Sequence, residues 1–283
     1  MAIIAIAAIA LLAAIELIPS SDDERTAPST RQTVAQPADA GEPRLVELTL
    51  PSEAVGDQSP IEVLVPAGPP QRRPLLVFLH GHGQPLSSFT ENPAVLDAMA
   101  RMDERAPIVA FPDGGYDSYW HDRDGGNWAT YVLEEAVPML ARRFAPNRHL
   151  VAIGGISMGG FGAYHLGLRR AARFCAIGGH SAALWFDSSE AFEGAFDDRA
   201  DFRRSDVIAA VRADPEAFGD TPLWNDIGRN DPFLAGNLAF VSALRGAGAG
   251  LTARVWPGGH DYAYWDRHWP DYLRFYADAL ERC

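Results

Sequence analysis

The sequence lacks lysine altogether and is poor in positive charge. All 24 of its basic residues are arginine, and the formal net charge of the 283 residues is −13. Nucleic acids are bound by basic surfaces, so this balance argues against nucleic acid as a partner. It suits a neutral or cationic substrate, although net charge alone is a weak guide to a substrate.

Cysteine is scarce as well, with Cys175 and Cys283 as the two copies. Two cysteines exclude a four-cysteine zinc site and a disulfide-rich scaffold. Cys175 lies in an apolar, strand-like run, where cysteine behaves as a small hydrophobic residue, so we expect two free thiols. A single bridge between them is the alternative if the protein is exported.

Sequence signatures of cofactor and metal sites are also missing. The chain has no glycine-rich phosphate loop, no dinucleotide-binding fingerprint and no cluster of metal-ligand residues. Residues 122–125 resemble the start of a calcium loop, but the later carboxylate is absent, so we interpret them as a solvated loop. We therefore expect a protein that works without a metal ion or another cofactor.

Residues 1–18 form an almost wholly apolar stretch, interrupted by Glu16. This pattern predicts a signal peptide or a short membrane anchor, although no basic residue precedes it and no clear cleavage site follows it. Residues 19–43 are rich in Pro, Ser, Thr, Ala and Asp, which predicts a disordered linker. We expect a secreted or cell-envelope protein, with any membrane association made through residues 2–18 only. A hydrophobic helix packed on the domain is the alternative.

Residues 44–283 are predicted to form one α/β domain. Residues 45–50 and 61–65 alternate between apolar and polar side chains, which predicts an antiparallel pair of half-buried strands. From residue 75 onward, short continuous apolar runs alternate with helical patterns. This alternation is typical of a mostly parallel central sheet with helices on both faces. The chain is 47% hydrophobic, which is enough for one large core.

Two segments depart from the regular alternation. Pro138 lies inside a predicted helix over residues 128–144 and is expected to kink or break it. Residues 182–204 show no clean periodicity and carry many charges besides several aromatic residues. We interpret them as an insertion near the functional site, with the character of a lid.

Residues 155–159 (Gly-Ile-Ser-Met-Gly) match the G-x-S-x-G pattern in the setting that it requires. The apolar run before them predicts a buried strand, and residues 160–166 after them predict a helix. A serine at such a turn is held in a strained backbone conformation that only small neighbours tolerate. Ser157 is therefore predicted to be a nucleophile at a strand end, where a helix N-terminus favours negative charge.

A base and an acid follow Ser157 in the order that this kind of turn requires. His260 comes directly after the last predicted strand, and Asp231 comes directly after the strand before it. All three are therefore expected at the carboxyl edge of the sheet, where open α/β sheets keep their sites. Asp226 and Asp261 are the alternatives for the acid, and a purely capping role is the alternative for Asp231.

An oxyanion hole needs two backbone N–H groups that point at the developing negative charge. One is expected from Met158, directly after the nucleophile. The other is expected from His82, in the loop after the first buried parallel strand, with Gly83 as the alternative. The side chains of His82 and His180 are expected to line the pocket, and either is an alternative to His260 as the base.

Residues 45–283 resemble the esterase family of α/β-hydrolases that includes S-formylglutathione hydrolase (esterase D), feruloyl esterase modules and the antigen 85 mycolyltransferases. The resemblance rests on five segments: 78–81 (Phe-Leu-His-Gly), 112–115 (Pro-Asp-Gly-Gly), 155–160 (Gly-Ile-Ser-Met-Gly-Gly), 231–233 (Asp-Pro-Phe) and 258–262 (Gly-Gly-His-Asp-Tyr). The loop at 80–84 is also similar to that of polyhydroxybutyrate depolymerases, which usually carries cysteine where this chain has His82. That departure weakens the depolymerase interpretation.

The resemblance implies an α/β-hydrolase fold and acyl transfer through a covalent acyl-enzyme, with a small-molecule or polymeric ester as substrate. Four side chains are expected to shape the acyl or alcohol pocket, with plain core packing as the alternative: Trp120, His180, Trp185 and Tyr262. A carboxylic ester hydrolase is the leading hypothesis. The alternatives are an acyltransferase with an alcohol acceptor and a binding protein without the chemistry; the intact order of serine, acid and base argues against the latter.

Overall fold

The structure, a computed structural model, describes residues 31–34, 42–68, 73–144, 150–246 and 250–283. The expected signal or anchor at 1–18 and most of the expected linker at 19–43 lie outside these ranges. Within that linker, Arg31–Val34 form a strand that pairs antiparallel with the next strand along the chain. Among the described residues, no helix has the length and apolar character needed to cross a membrane.

The strands are named in chain order: β1 (Arg31–Val34), β2 (Arg44–Ser52), β3 (Asp57–Val65), β4 (Leu75–Leu79), β5 (Ile108–Pro112), β6 (Asp122–Arg123), β7 (Gly126–Asn127), β8 (Val151–Ile156), β9 (Ile177–His180), β10 (Leu223–Gly228) and β11 (Leu251–Trp256). Within the described ranges, one sheet has the order β1-β2-β3-β5-β4-β8-β9-β10-β11, while β6 and β7 form a small hairpin.

The sheet is antiparallel at one side and parallel through the rest. β3 pairs antiparallel with both β2 and β5. Every neighbouring pair from β5 across to β11 is parallel. The predicted antiparallel pair and the predicted mostly parallel sheet are both confirmed. Because the parallel strands share one direction, their carboxyl ends meet at the same edge.

The helices, also in chain order, are α1 (Ser87–Thr90), α2 (Pro93–Ala100), α3 (Trp128–Thr130), α4 (Val137–Phe144), α5 (Met158–Arg170), α6 (Arg199–Ser205), α7 (Val207–Ala213), α8 (Leu234–Arg245) and α9 (Tyr262–Arg282). Short 3₁₀ turns at Asp103–Arg105 and Ala171–Arg173 and a π-helical segment at Tyr131–Ala136 complete the set in the described part of the chain.

Two hydrophobic cores lie on opposite faces of the sheet. Successive side chains of a strand point to opposite faces, so Val77 of β4 joins one core while Leu76 and Phe78 join the other. The first core also holds side chains of α5, α7 and α8, and the second holds side chains of α2 and α9. Helices therefore cover both faces, as the sequence predicts.

The helix predicted over 128–144 is interrupted just before its proline. Residues Tyr131–Ala136 adopt the wider π-helical form, and α4 resumes at Val137. Pro138 has no N–H to donate and its ring crowds the carbonyl four residues earlier, which disturbs the regular ladder in the preceding turn. The predicted break is confirmed.

The apolar run at 174–177 predicts a strand that ends before Gly178, whereas β9 spans Ile177–His180 and includes Gly178 and Gly179. A Cβ on Gly178 would lie 2.1 Å from the Tyr276 hydroxyl, and one on Gly179 would lie 2.4 Å from the Tyr164 ring. Glycine in the strand thus lets an aromatic side chain approach the sheet from each face. The pattern missed this because it shows neither neighbour.

A disulfide joins Cys175 to Cys283, with their Cα atoms 5.6 Å apart. The expectation of two free thiols is therefore wrong. Cys175 lies just before β9, and α9 returns along the same face of the sheet to bring Cys283 beside it. The partners are 108 residues apart in sequence, so the pairing depends on how α9 packs. The bridge fastens the end of α9 to the sheet.

Candidate active site

Ser157 occupies a tight turn between β8 and α5 and has a φ of +57°, which agrees with the strained backbone that the sequence predicts there. The turn is closed by glycines: a Cβ on Gly155 would lie 2.4 Å from the Gly159 carbonyl carbon, and one on Gly159 would lie 2.0 Å from the Leu79 carbonyl oxygen. The Ser157 N–H donates to the His180 carbonyl oxygen at 3.0 Å. The backbone strain at Ser157 is thus held in place by packing and hydrogen bonding on both sides.

His260 bridges Ser157 and Asp231. Its Nε2 lies 2.8 Å from Ser157 Oγ, and its Nδ1 lies 2.9 Å from Asp231 Oδ2. The carboxylate is buried, and its Oδ1 accepts the Phe233 N–H at 2.9 Å. A neutral imidazole placed between a carboxylate and a hydroxyl can hold its proton on Nδ1 and accept one at Nε2.

The two loops that carry this acid and this base lie against each other. Asn230 N–H donates to the Gly258 carbonyl oxygen at 2.9 Å, and Arg229 N–H donates to the Trp256 carbonyl oxygen at the same distance. A Cβ on Gly228 would lie 2.6 Å from the Gly258 oxygen, so glycine permits this close approach. Parallel pairing of β10 and β11 therefore delivers the acid and the base together.

The alternatives for the acid are occupied elsewhere. Asp226 is fully buried and accepts hydrogen bonds from His180 and from aromatic side chains on the α9 face of the sheet. Asp261 caps α9, where its Oδ1 accepts the Tyr264 N–H at 2.9 Å. Among the described residues, Asp231 is the carboxylate that bonds the His260 ring.

The loop after β4 leaves one N–H group free. Gly81 N–H donates to Gln84 Oε1 at 2.7 Å, and Gly83 N–H donates to the Tyr116 carbonyl oxygen at 2.8 Å. His82, between them, has an N–H with no acceptor within the described part of the chain. The geometry thus supports His82 rather than Gly83 as the donor.

This loop lies against the nucleophile. A Cβ on Gly81 would lie 3.3 Å from Ser157 Cβ. Met158 is the first residue of α5, so its N–H has no partner in the preceding turn of the helix. Gly81, the residue before His82, and Met158 therefore both lie next to Ser157.

Trp120 supports the loop from inside the protein. It is fully buried, its Nε1–H donates to the His80 carbonyl oxygen at 3.1 Å, and its ring fills the space beside Gly114 and Gly162. His80 Nε2 in turn accepts the Gly114 N–H at 2.9 Å. The prediction that Trp120 lines a substrate pocket is wrong, because packing against the loop takes up its whole surface.

His180 is also buried away from the site, with its ring between Asp226 and the Tyr276 hydroxyl. It neither lines a pocket nor contacts Ser157 through its side chain, so that prediction is wrong too. Strand alternation explains it, because the His180 side chain points to the α9 face while its carbonyl oxygen meets the nucleophile turn.

Trp185 and Tyr262 lie at different depths. Trp185 is buried and its ring packs 5.4 Å from the ring of Phe233, which itself lies 5.0 Å from the His260 ring. Tyr262 is 45% exposed and packs on Trp265 next to the same loop. Both are placed around the site, Trp185 as support and Tyr262 at the surface.

Sequence reasoning missed two rings beside the site. Tyr116 is 70% exposed and its ring lies 4.6 Å from that of His82. Phe192 is 53% exposed and lies 6.3 Å from His82 and 6.1 Å from Phe233. The segments 116–126 and 182–204, which carry these two rings, are visibly rich in aromatic residues, but their sequences do not show which rings face the nucleophile.

The insertion over 182–204 is anchored by polar contacts, of which one is buried. His121 Nε2 lies 2.9 Å from Asp201 Oδ2, with both side chains 1% exposed. Arg123 pairs with Asp197 at 2.8 Å. Beside them, burial lowers the pKa of His165 to about 4, so this imidazole is neutral near pH 7. The insertion is thereby held against the site rather than left loose.

The loop at 122–125 is pinned as well. Asp122 accepts hydrogen bonds from the Thr130 N–H at 2.9 Å and from Arg169 at 2.7 Å. Asp124 N–H donates to Asp197 at 2.7 Å. Asp124 and Gly125 are exposed while Asp122 and Arg123 are half-buried, so the run is a solvated loop as predicted, and its hydrogen bonds also hold neighbouring segments together.

Comparison with known proteins gives one family and several relatives. The family model described as "Putative esterase" matches residues 52–276. The chain is 26% identical over 257 residues to an Iron(III) enterobactin esterase of Dickeya dadantii, covering 88% of this chain and 58% of that protein. The chain thus spans less than two thirds of the length of this relative.

Solved structures agree with this fold. A ferulic acid esterase superimposes with a TM-score of 0.73 at 26% identity, covering 84% of this chain and 99% of the other. An S-formylglutathione hydrolase from Agrobacterium tumefaciens superimposes with a TM-score of 0.71 at 22% identity, covering 87% and 98%. The α/β-hydrolase fold expected from the sequence is confirmed.

Proposed function

Because the chain belongs to the Putative esterase family, we propose that it hydrolyses carboxylic esters, with Ser157 as nucleophile, His260 as general base and Asp231 as the acid that orients the base. The observation that carries this proposal is the placement of His260, whose two ring nitrogens lie within hydrogen-bond distance of Ser157 Oγ and Asp231 Oδ2 at the same time. A serine hydroxyl is a weak nucleophile until an adjacent base takes its proton.

In acylation, Ser157 Oγ attacks the ester carbonyl carbon while its proton passes to His260 Nε2. The carbonyl π electrons move onto oxygen and form a tetrahedral oxyanion. When this intermediate collapses, the bond to the alkoxy oxygen breaks and His260 gives that oxygen the proton. The alcohol leaves, and the acyl group stays on Ser157.

Deacylation repeats these steps with water as the nucleophile. His260 takes a proton from water, the hydroxide oxygen attacks the acyl carbon, and the proton then returns to Ser157 Oγ as the acid departs. Asp231 accepts the Nδ1–H of His260 in both halves, which fixes the imidazole tautomer and stabilises the imidazolium.

The N–H groups of His82 and Met158 are proposed to hold the oxyanion. Support comes from the loop after β4, where the neighbouring N–H groups already have acceptors and that of His82 has none in the described residues. The N-terminus of α5 adds the positive end of a helix dipole at the same point. Losing one such donor costs about 3 kcal/mol of transition-state stabilisation.

The proposed substrate is a small-molecule or polymeric ester. The names of the relatives point to different substrates, so the family supports a class of reaction rather than one ester. The exposed rings of Tyr116 and Phe192 offer apolar surface beside His82 for the part of the substrate next to the carbonyl, while the buried ring of Phe233 supports Phe192 and His260.

A series of p-nitrophenyl esters from acetate to palmitate tests the reaction. We expect the wild-type protein to release nitrophenol from at least one ester and to be labelled on Ser157 by a fluorophosphonate probe. The Ser157→Ala variant should do neither while unfolding in urea like the wild type. A wild-type protein inert towards every ester and towards the probe would contradict the proposal.

We also propose that the protein is exported. The apolar stretch at 1–18 and the bridge between Cys175 and Cys283 support this, because disulfides persist mainly in oxidising compartments. Fractionation of cells that produce the full chain should place it in the envelope or the medium. Cytoplasmic protein with two thiols that react with a maleimide would contradict the idea.

A further inference from the structure

A second acid–base network, separate from the triad, is buried on the α9 face of the sheet. Its centre is Asp226 of β10, which has no exposed surface. Four hydrogen bonds reach its carboxylate: from His180 Nδ1 at 2.6 Å, Trp224 Nε1 at 2.7 Å, the Tyr264 hydroxyl at 2.8 Å and the Tyr272 hydroxyl at 2.9 Å. The first two go to Oδ1 and the last two to Oδ2, so the group is fully partnered.

Burying a carboxylate is costly unless every lone pair finds a donor. Burial and the Asp226 charge raise the pKa of Tyr264 and of Tyr272 well above the usual value, so both hydroxyls keep their protons and act as donors. A well-packed apolar group often stabilises such a position as well or better. Stability therefore does not explain this network, and its connections to the Ser157 turn and to the His260 loop have to be considered.

One arm of the network leads to the nucleophile. The His180 ring is held between Asp226 Oδ1 and the Tyr276 hydroxyl, 2.9 Å from its Nε2, and packs 3.7 Å from the Tyr272 ring. The carbonyl oxygen of the same residue accepts the Ser157 N–H at 3.0 Å. Fixing the ring therefore fixes the end of β9 on which the nucleophile turn rests.

The other arm leads to the base. Tyr264 lies in the first turn of α9, four residues after His260. Its hydroxyl is bound to Asp226 Oδ2, and its ring packs on the loop before His260, where a Cβ on Gly258 would lie 2.5 Å from the ring. Gly258 has a φ of +140°, a conformation that suits glycine. Tyr264 thus ties the base loop to β10.

We propose that Asp226 is a positioning residue that sets the distance between Ser157 and His260, by holding His180 beneath the nucleophile turn and Tyr264 beneath the base loop. This inference rests on the proposed function, because the distance matters only if the two residues react together. Catalytic groups must be held to within about half an ångström of their working geometry, which two flexible loop ends cannot achieve by themselves.

The chain offers a matched pair of variants. The Tyr264 and Tyr272 hydroxyls donate to the same oxygen at nearly the same distance, and the two side chains are 1% and 0% exposed. Tyr272 lies two turns further along α9, away from the base loop. Tyr264→Phe and Tyr272→Phe therefore remove equivalent hydrogen bonds from Asp226, but only the first releases the loop.

The measurements are kcat and KM for a p-nitrophenyl ester, the rate of fluorophosphonate labelling of Ser157, and urea unfolding. We expect Tyr264→Phe to lower kcat and the labelling rate by about tenfold with KM unchanged. Tyr272→Phe should keep both rates within about twofold of the wild type while losing a similar amount of stability. Rates near the wild-type value in both variants would overturn the proposal, and equally lowered rates would overturn the role given to Tyr264.

Tyr276→Phe tests the other arm against the same Tyr272→Phe control, and it decides the matter if circular dichroism shows Tyr264→Phe to be unfolded. It removes the hydroxyl partner of His180 Nε2 and should slow labelling of Ser157 by several-fold with KM unchanged. A labelling rate equal to that of Tyr272→Phe would refute the role of His180. A wild type without any reactivity overturns the proposed function, and this inference with it; a reactive wild type whose variants all keep its rate overturns this inference alone.

Discussion

Replacing Gly159 with alanine is predicted to disable the nucleophile turn. A Cβ at this position would lie 2.0 Å from the Leu79 carbonyl oxygen and 2.8 Å from that of His80. Real Cβ atoms essentially never come within 3.0 Å of another heavy atom, so the contact with Leu79 has to open by about 1 Å. The atoms in the way are backbone atoms of a central strand, which cannot rotate aside as a side chain could.

That opening moves groups the reaction depends on. Leu79 and His80 lead into the loop that carries the His82 N–H, and Gly159 lies two residues after Ser157. Overpacking of this kind costs about 1–3 kcal/mol of stability. A displacement of about 1 Å at reacting groups can cost about 100-fold in rate. We therefore expect Gly159→Ala to lower kcat/KM by at least about 100-fold.

The assay compares Gly159→Ala with Gly125→Ala by urea unfolding, p-nitrophenyl ester hydrolysis and fluorophosphonate labelling. Gly125 has no heavy atom within 4 Å of its Cβ position, so its variant should match the wild type in all three measurements. A folded Gly159→Ala protein that is labelled at the wild-type rate would show that the turn tolerates a side chain, and the reasoning from its closure would fail.

Three further outcomes are expected. Asp231→Asn should leave the protein folded but lower kcat by about 10⁴-fold, since the amide favours the wrong tautomer of the base; near-normal turnover would remove Asp231 from the acid role. Trp120→Phe removes the hydrogen bond to the His80 carbonyl oxygen, so both the free energy of unfolding (by about 1 kcal/mol) and kcat should fall. A raised KM with unchanged kcat would instead indicate that Trp120 contacts the substrate. The double variant Cys175→Ser, Cys283→Ser opens a 108-residue loop, so the free energy of unfolding measured with urea should fall by about 4 kcal/mol. Unchanged stability would argue against the bridge.

Local sequence patterns predicted much of the fold because their physical basis is local. Alternation over 45–50 and 61–65 and the buried runs from 75 onward reported strand direction and burial, and the structure confirms both. The break near Pro138 followed from the chemistry of one residue. The boundary of β9 could not be predicted locally, because its glycines are explained by aromatic rings that pack on both faces of the sheet.

The candidate site divides in the same way. Ser157, Asp231 and His260 could be named because each follows a strand, and parallel strands bring their carboxyl ends together. His180 lies at the carboxyl end of β9, yet its side chain points to the opposite face. Trp120 is aromatic and near the site, yet it supports the loop from within. Position after a strand gives proximity, whereas the direction of a side chain depends on its neighbours.

The amino-acid sequence by itself determined the class of fold, the chain order of Ser157, Asp231 and His260, and the strained turn at Ser157. These follow from periodicity, strand order and glycine placement. Only the tertiary structure decided which carboxylate bonds His260, that the N–H of His82 has no acceptor among the described residues, and that Cys175 pairs with Cys283. Those outcomes depend on contacts between segments far apart in sequence, and such contacts exist only once the sheet and its helices have packed.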